Sequence, residues 1–325
     1  MKLALRMGPE PGPIWRLAKQ LGLEHGVFNL PNPGDGAAPW EYRPLSRLTE
    51  RAAAAGLDVQ VIEERPPMDD IRLGRPGRDE QIANVCSLIR NMGDLDIPVW
   101  CWSWRTHFPV IRTGTTRLRG GSEGTAYVHN HLPARLESGP TAASAPSVSA
   151  SELWEHLGYF LERVVPVAEE ADVRLAIHPD DPPITEEIHG TARIMTSPEA
   201  YERLLDIYPS KYNGVCLAQG NFAAMGAEIP ASIHRFGEHI HFVHFRDIRG
   251  TAENFHETWH DNGQTDMFAA MQAYQDIGFE GPIRPDHFPT VTAGEGDGEF
   301  KGRLHAIGYM QGLLAAAEGE LASHP

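Results

Sequence analysis

The spacing of apolar residues along this chain switches repeatedly between a strand-like and a helical period. Short runs rich in β-branched and apolar residues predict strands at Lys2–Met7, Gly26–Leu30, Asp58–Glu63, Pro98–Trp104, Arg174–His178, Tyr212–Leu217, Ile240–Phe245 and Pro282–Pro285. Between them apolar residues return every three or four positions. Ile82, Val85, Leu88 and Ile89 give one packed face to a helix over Arg78–Met92. Leu153, Leu157, Phe160, Leu161, Val164 and Val167 do the same for a helix capped at Ser149 or Ser151. Punctuation agrees with this phasing: Pro44 suits the first turn of Pro44–Ala55, which stops at Gly56, Ser197-Pro198 opens another helix, and Gly278 stops Met267–Ile277. Ile14–Leu21 and Arg303–Glu318 complete the helical set.

Eight strands alternating with helices predict an α/β fold, a (β/α)8 TIM barrel occupying residues 1–325 as a single domain. The alternative is an open doubly wound sheet. No Gly-x-Gly-x-x-Gly follows the first strand, and polar residues close one strand after another instead of gathering at one switch point, which favours the barrel. One stretch, about Thr106 to Ser149, breaks the rhythm and is rich in Gly, Ser, Thr, Ala and Pro. A connection that long is read as a lid over the barrel mouth, with a disordered loop or a contact between copies of a homo-oligomer as the other readings.

Composition narrows the function class. Hydrophobic residues make up 41% and charged residues 22% of the 325, ordinary for a chain with a large core. The formal charge of −16 leaves no basic surplus for phosphates, which argues against a nucleic-acid partner. An anionic small molecule would need local cations or a metal against that field. The three cysteines are too few for a disulfide framework and fit a reducing, cytoplasmic setting. The start Met1-Lys2-Leu3-Ala4-Leu5-Arg6 is charged too early for a signal peptide, and no run reaches the roughly 18 apolar residues of a membrane span.

The candidate chemistry sits at strand ends. His178, Cys216, His244 and Asp286 each finish one of the last four strands, about one βα repeat apart. A barrel brings successive strand ends to one rim, so the four can share one ion. Singly, each has an ordinary reading: a core cysteine, a satisfied core histidine, an aspartate capping a turn. Together they form a set of two imidazoles, a thiolate and a carboxylate. That set could close a structural zinc site, or hold Mn, Fe, Co or Zn with substrate oxygens added.

The chain resembles the mannonate dehydratase family, metal-dependent barrels that dehydrate a sugar acid. The resemblance is carried by His178-Pro179-Asp180-Asp181-Pro182-Pro183, Cys216 with Gly220, His244-Phe245-Arg246, Phe255-His256-Glu257-Thr258-Trp259-His260 with Gly263 and Asp266-Met267, and Arg284-Pro285-Asp286-His287. Glu63-x-x-Pro66 with Asp70-Ile71 and Val165-Pro166-Val167-Ala168-Glu169-Glu170 are similar too. It implies a xylose-isomerase-like barrel and a divalent metal, usually Mn2+, on His178, Cys216, His244 and Asp286. It also implies a β-elimination in which the substrate's carboxylate and C2 hydroxyl chelate the metal, the C2 proton is taken by a base, and the C3 hydroxyl leaves as water. His287, beside a ligand, is then a proton donor or acceptor, or a residue that orients the ligands. Arg246 is a bidentate holder of a carboxylate, or an ion-pair partner of Asp247 or Glu257. His256 and His260, read as lying on a loop, are contacts to the substrate or to the ligands.

The chain departs from the family pattern at two places. The family's catalytic tyrosine, in a Pro-Gly-Tyr segment before the last helix, falls at Gly298 here, and the paired histidines after the second strand are replaced by Phe28-Asn29-Leu30-Pro31-Asn32. The leading expectation is therefore a lyase on D-mannonate or a related sugar acid. The alternatives are a metal-dependent isomerase or epimerase on a neutral sugar and, less directly, a non-catalytic metal site.

Overall fold

Alternation along a strand sorts its residues between two surfaces, and here the two surfaces differ in size. In the computed structural model, which describes residues 1–325 except 35, 107–109, 134–146, 295, 324 and 325, the described residues form twelve strands. In chain order they are β1 (Lys2–Met7), β2 (His25–Phe28), β3 (Asp58–Ile62), β4 (Val99–Ser103), β5 (Gly114–Arg117), β6 (Glu123–Val128), β7 (Arg174–His178), β8 (Asn213–Ala218), β9 (Ile240–Phe245), β10 (Ile248–Thr251), β11 (Asn254–Glu257) and β12 (Pro282–Pro285). Eight of them close a parallel barrel in the order β1-β12-β9-β8-β7-β4-β3-β2. One face of these strands supplies the barrel interior: Ala4, Val27, Val61, Val99, Cys101, Ala176, Cys216 and Phe242. Most of these are small, so the interior fills without large side chains near its mouth. The other face carries Leu5, Phe28, Ile62, Trp100, Trp102, Ile177, Leu217 and Val243, which pack against the helices.

The barrel strands fall where the periodicity predicts them, within a residue or two. So do most helices, including Tyr42–Ala54, Arg78–Gly93 and Met267–Asp276. Ser149, not Ser151, caps Ala150–Glu170: its hydroxyl accepts from Glu152 N while the Glu152 carboxylate accepts from Ser149 N. That helix lays Phe160 against Trp102 and Trp104, with ring centroids 5.1 and 5.5 Å apart. The last helix, Gly298–Ser323, starts five residues before the expected Arg303. No helix among the described residues is long and apolar enough to cross a membrane.

The stretch expected as an irregular lid needs correction. Residues 107–109 and 134–146 of it lie outside the described residues, but its middle is a hairpin, β5–β6. A second hairpin, β10–β11, follows β9. The two join through antiparallel β6–β11 pairing, Ala126 opposite His256, into the four-stranded sheet β10-β11-β6-β5. The segment around His256, expected as a loop, is therefore a strand. β5 is exposed or half-buried throughout, so it has no apolar face to register as alternation. It pairs with β6, and β6 in turn pairs with β11 more than a hundred residues away, which local patterning does not see. At Gly124 the approach is close enough that a Cβ would lie 2.5 Å from the Glu257 carbonyl oxygen, so β6 keeps a glycine where it meets the end of β11.

Replacing Ser149 by alanine removes one half of the capping box. The expected result is a loss of about 1 kcal/mol, read as a lower urea midpoint at unchanged slope. An unchanged midpoint would show that the box contributes nothing.

Candidate active site

Parallel strands deliver their last inward residues to one rim, and that geometry assembles the site. On β7, Ala176 points into the interior, so His178 two residues on shares its face. The same step takes Phe242 to His244 on β9. On β8 the pairing with β9 shifts register between Val215 and Cys216, a bulge beside the site. Cys101, Cys216 and His244 then bring their two sulfurs and a ring nitrogen within 4.8 Å of one another. The His178 ring lies 4.8 Å from that of His244. An Asp286 oxygen is 3.6 Å from His244 Nδ1, and a Glu63 oxygen is 3.6 Å from Nε2. Of the four expected ligands, Cys216 and His244 share this group, and His178 and Asp286 stand beside His244. Cys101 and Glu63 join them unannounced by the motif reading.

The donor set fits a divalent metal. Both ring nitrogens of His244 are buried with no hydrogen-bond partner, a state that costs about 1–3 kcal/mol for each unmet group. His178 Nδ1 donates to the Pro179 carbonyl at 2.8 Å, which leaves Nε2 with the lone pair, the usual arrangement of a ligating imidazole. Burial pushes the His178 imidazole well below its ordinary pKa, and His244 and Arg105 push it further, so it stays neutral. Burial also pushes the Cys216 thiol well up, whereas Cys216 and His244 beside it bring Cys101 down to about 7 against its own burial. Thiolate, imidazole and carboxylate together suit Mn, Fe, Co or Zn.

Arg284 on β12 fixes the carboxylates. It donates to Glu63 at 2.9 and 2.7 Å and to Asp286 at 2.7 Å. Burial alone would raise both acids, but Arg284 beside them holds each below the usual carboxylate range, and both stay ionised. A cavity of about 310 Å³ opens over this floor, with His178, His244, Asp286 and His287 in its wall.

Arg246 needs correction as a substrate clamp. It is buried behind Asp286, and its terminal nitrogens are taken: by Asp181 at 3.3 Å, Asn221 at 2.9 Å, Asp286 at 3.3 Å and Glu257 at 3.4 Å. Of the two ion-pair readings, Glu257 is the partner; Asp247 instead accepts from the Ile248 and Thr265 amides. Gly220 is required beneath it, since a Cβ there would lie 2.4 Å from Arg246 Nε. Arg112, from the segment before β5, completes the network with Asp181 at 2.6 Å and Glu257 at 2.5 Å.

His256 needs correction as a site residue. On β11 it alternates with Glu257, and Glu257 is the one aimed at the site, so His256 faces the opposite side and is absent from the cavity wall. His260 is buried with Nε2 bonded to the Phe245 carbonyl at 2.9 Å, also away from the cavity. His287 does reach the cavity. Its φ of +47° is left-handed, uncommon for a residue with a side chain, and it turns the imidazole out of the β12 alternation. Its Nδ1 lies 3.7 Å from a Glu257 oxygen and its Nε2 3.5 Å from Asp286. The other Glu257 oxygen is buried and unpartnered. At Gly298 a Cβ would lie 2.7 Å from both Thr290 Cγ2 and the Val291 carbonyl oxygen, so the backbone there leaves no room for a side chain.

Alternation could have exposed two of the missed residues. In Val99-Trp100-Cys101-Trp102 the bulky tryptophans suit the helix-facing side, which turns Cys101 inward. In Phe255-His256-Glu257 the same logic selects Glu257 once the segment is known to be a strand. Nothing local marks Arg112, whose partners are 69 and 145 residues away.

Cys216→Ala and His244→Ala should each cut bound divalent metal sharply by elemental analysis, while His256→Ala retains it; full metal in all three would refute the site. Arg246→Ala should destabilise the fold by about 3–5 kcal/mol, because it strands buried carboxylates. A urea unfolding curve indistinguishable from wild type would refute that network.

The family model described as D-mannonate dehydratase (UxuA) matches residues 16–139 and 133–324. A mannonate dehydratase of Thermotoga neapolitana is 39% identical over 331 residues, covering 91% of this chain and 90% of its own. The crystal structure of mannonate dehydratase from Streptococcus suis serotype2 matches with a TM-score of 0.88 and 31% identity, covering 100% of this chain and 95% of that one. A xylose isomerase domain protein from Planctomyces limnophilus, at 13% identity and a TM-score of 0.62 over 98% of both chains, shares the fold alone. The match in sequence across nearly the whole chain and the match in three dimensions agree: the chain belongs to the D-mannonate dehydratase family.

Proposed function

We propose that this protein dehydrates a sugar acid, D-mannonate or a closely related aldonate, to the 2-keto-3-deoxy acid, with a divalent metal, Mn2+ foremost, on His178, Cys216, His244 and Asp286. The observation that carries the reading is His244. In a chain of this family its imidazole stands with both nitrogens unsatisfied among two sulfurs and a carboxylate, at the rim of an open cavity.

A bound divalent metal supplies Lewis acidity where negative charge grows on the substrate as the C2 proton leaves. The chain's own residues do the rest. Arg284 keeps Glu63 and Asp286 ionised and fixed, so the donor set is organised before substrate arrives. His287 stands at the cavity with Glu257 behind Nδ1, a carboxylate that orients the ring. Its imidazole takes the proton from C2. The C2–H electron pair becomes the C2–C3 double bond, the C3–O bond breaks, and the same proton returned to the departing hydroxyl gives water. The enol then settles to the 2-keto acid. A single imidazole that carries the proton both ways is consistent with a chain whose backbone excludes a side chain at Gly298.

Metal-loaded protein incubated with D-mannonate should form 2-keto-3-deoxy acid, and a chelator should stop it. No product with Mn2+, Fe2+, Co2+ or Zn2+ would overturn the assignment. His287→Asn should lower kcat by about 10²- to 10⁴-fold with metal content unchanged; undiminished kcat would remove His287 from the chemistry.

A further inference from the structure

Most buried guanidiniums near the cavity are matched to acids. Arg284 serves Glu63 and Asp286, while Arg112 and Arg246 serve Asp181 and Glu257. Arg193 bonds the Pro182 carbonyl and lies 3.7 Å from Asp180. Two are not matched. Arg105, just beyond the end of β4, lines the cavity with Nε and Nη1 buried and without a hydrogen-bond partner. Arg65, just beyond the end of β3 and half-buried, lines the same wall, with Asp69 and Glu64 attracting it but without a hydrogen bond to either. Between and below them lies Arg72, fully buried, donating to the Ser103 carbonyl at 2.7 Å and to Asp69 at 3.2 Å.

The nearby acids Asp181 and Asp180 attract Arg105 without bonding its two buried nitrogens. Asp181 attracts Arg105, but its two oxygens are already held by Arg112 and Arg246. Burial weakens the hold of Arg65 and Arg105 on their protons, and Arg65 and Arg105 repel one another. A guanidinium remains charged regardless, so Arg105 keeps two buried N–H groups at the cavity with no hydrogen-bond partner among the described residues. An anion with planar, paired oxygens would satisfy the fork geometry as well as the charge. A neutral polyol would supply oxygens and leave the charge unmet.

We propose that Arg105, with Arg65 beside it, receives the carboxylate of the substrate at the β3–β4 wall of the cavity and so selects acids over neutral sugars. This rests on the dehydratase reading and deepens it: the carboxylate that the resemblance sets on the metal would keep an oxygen for Arg105, and the arginine wall decides which class of molecule is admitted.

The test is direct binding, read by calorimetry and by the fluorescence of Trp102 in the cavity wall, on metal-free and metal-loaded protein. D-mannonate is compared with D-mannitol, a neutral hexitol, for wild type, Arg105→Gln, Arg105→Lys and Arg65→Gln. Arg105→Gln should weaken mannonate binding about tenfold to a hundredfold, the usual effect of losing a charge-assisted hydrogen bond. Its mannitol affinity and its metal content should stay at wild-type levels. Arg105→Lys should recover part of the loss, and Arg65→Gln should show the same selectivity to a smaller degree. If Arg105→Gln and Arg65→Gln both bind mannonate as wild type does, the assignment is wrong and the dehydratase reading stands. If the wild-type chain binds no aldonate in either metal state, both fail. Equal loss of mannonate and mannitol in Arg105→Gln would show a collapsed cavity and overturn the claim of charge selection.

Discussion

Arg284 ties the mouth of the barrel together. Its guanidinium comes up from β12 and reaches Glu63 at the end of β3, 221 residues earlier in the chain, while also holding Asp286 two residues ahead. Two carboxylates brought this close without a cation would repel one another, and burial would neutralise them. With Arg284 between them they stay charged, and His244 finds an acid on either side of its ring. The ionisation of the site, its affinity for a cation and the position of His287 beside Asp286 all depend on that one buried side chain.

A second tier of charge stands behind the first. Arg112 and Arg246 join Asp181, Glu257 and Asp286 in a network with almost no access to water. Buried ion pairs of this kind add little to stability relative to apolar packing, but they hold a fixed geometry once formed. Here the geometry they hold is the line from Glu257 to His287. The chain as a whole carries a formal charge of −16, yet the wall of its cavity holds Arg105 with two buried nitrogens unbonded among the described residues. The local arrangement opposes the global field at the one place where an acid has to enter.

The eight barrel strands were legible because each obeys a local rule, apolar inside and apolar outside with polar residues only at the ends. The ligand candidates were legible for the same reason: His178, Cys216, His244 and Asp286 interrupt that rule at equivalent positions. What stayed hidden depended on distant pairing. β5 is largely polar and pairs only with β6, which in turn pairs with the distant β11, so the two read as loop. With β11 unrecognised, His256 attracted attention on chemical type alone, while its neighbour Glu257 had the orientation. Cys101 was concealed by its bulky neighbours, although those neighbours are what turn it inward. Arg246 was expected to hold a substrate carboxylate or to pair with Asp247 or Glu257, and the acids around it could be counted only in three dimensions.

Glu257 does not belong to the barrel. It arrives on a hairpin of the side sheet, while the eight barrel strands complete their hydrogen bonding among themselves. The part of the molecule that keeps it folded and the part that sets Glu257 beside His287 are therefore under separate constraints. Drift in the hairpins can change what faces His287 while closure of the barrel is left alone, which gives a lineage room to alter its cavity without first surviving a loss of structure.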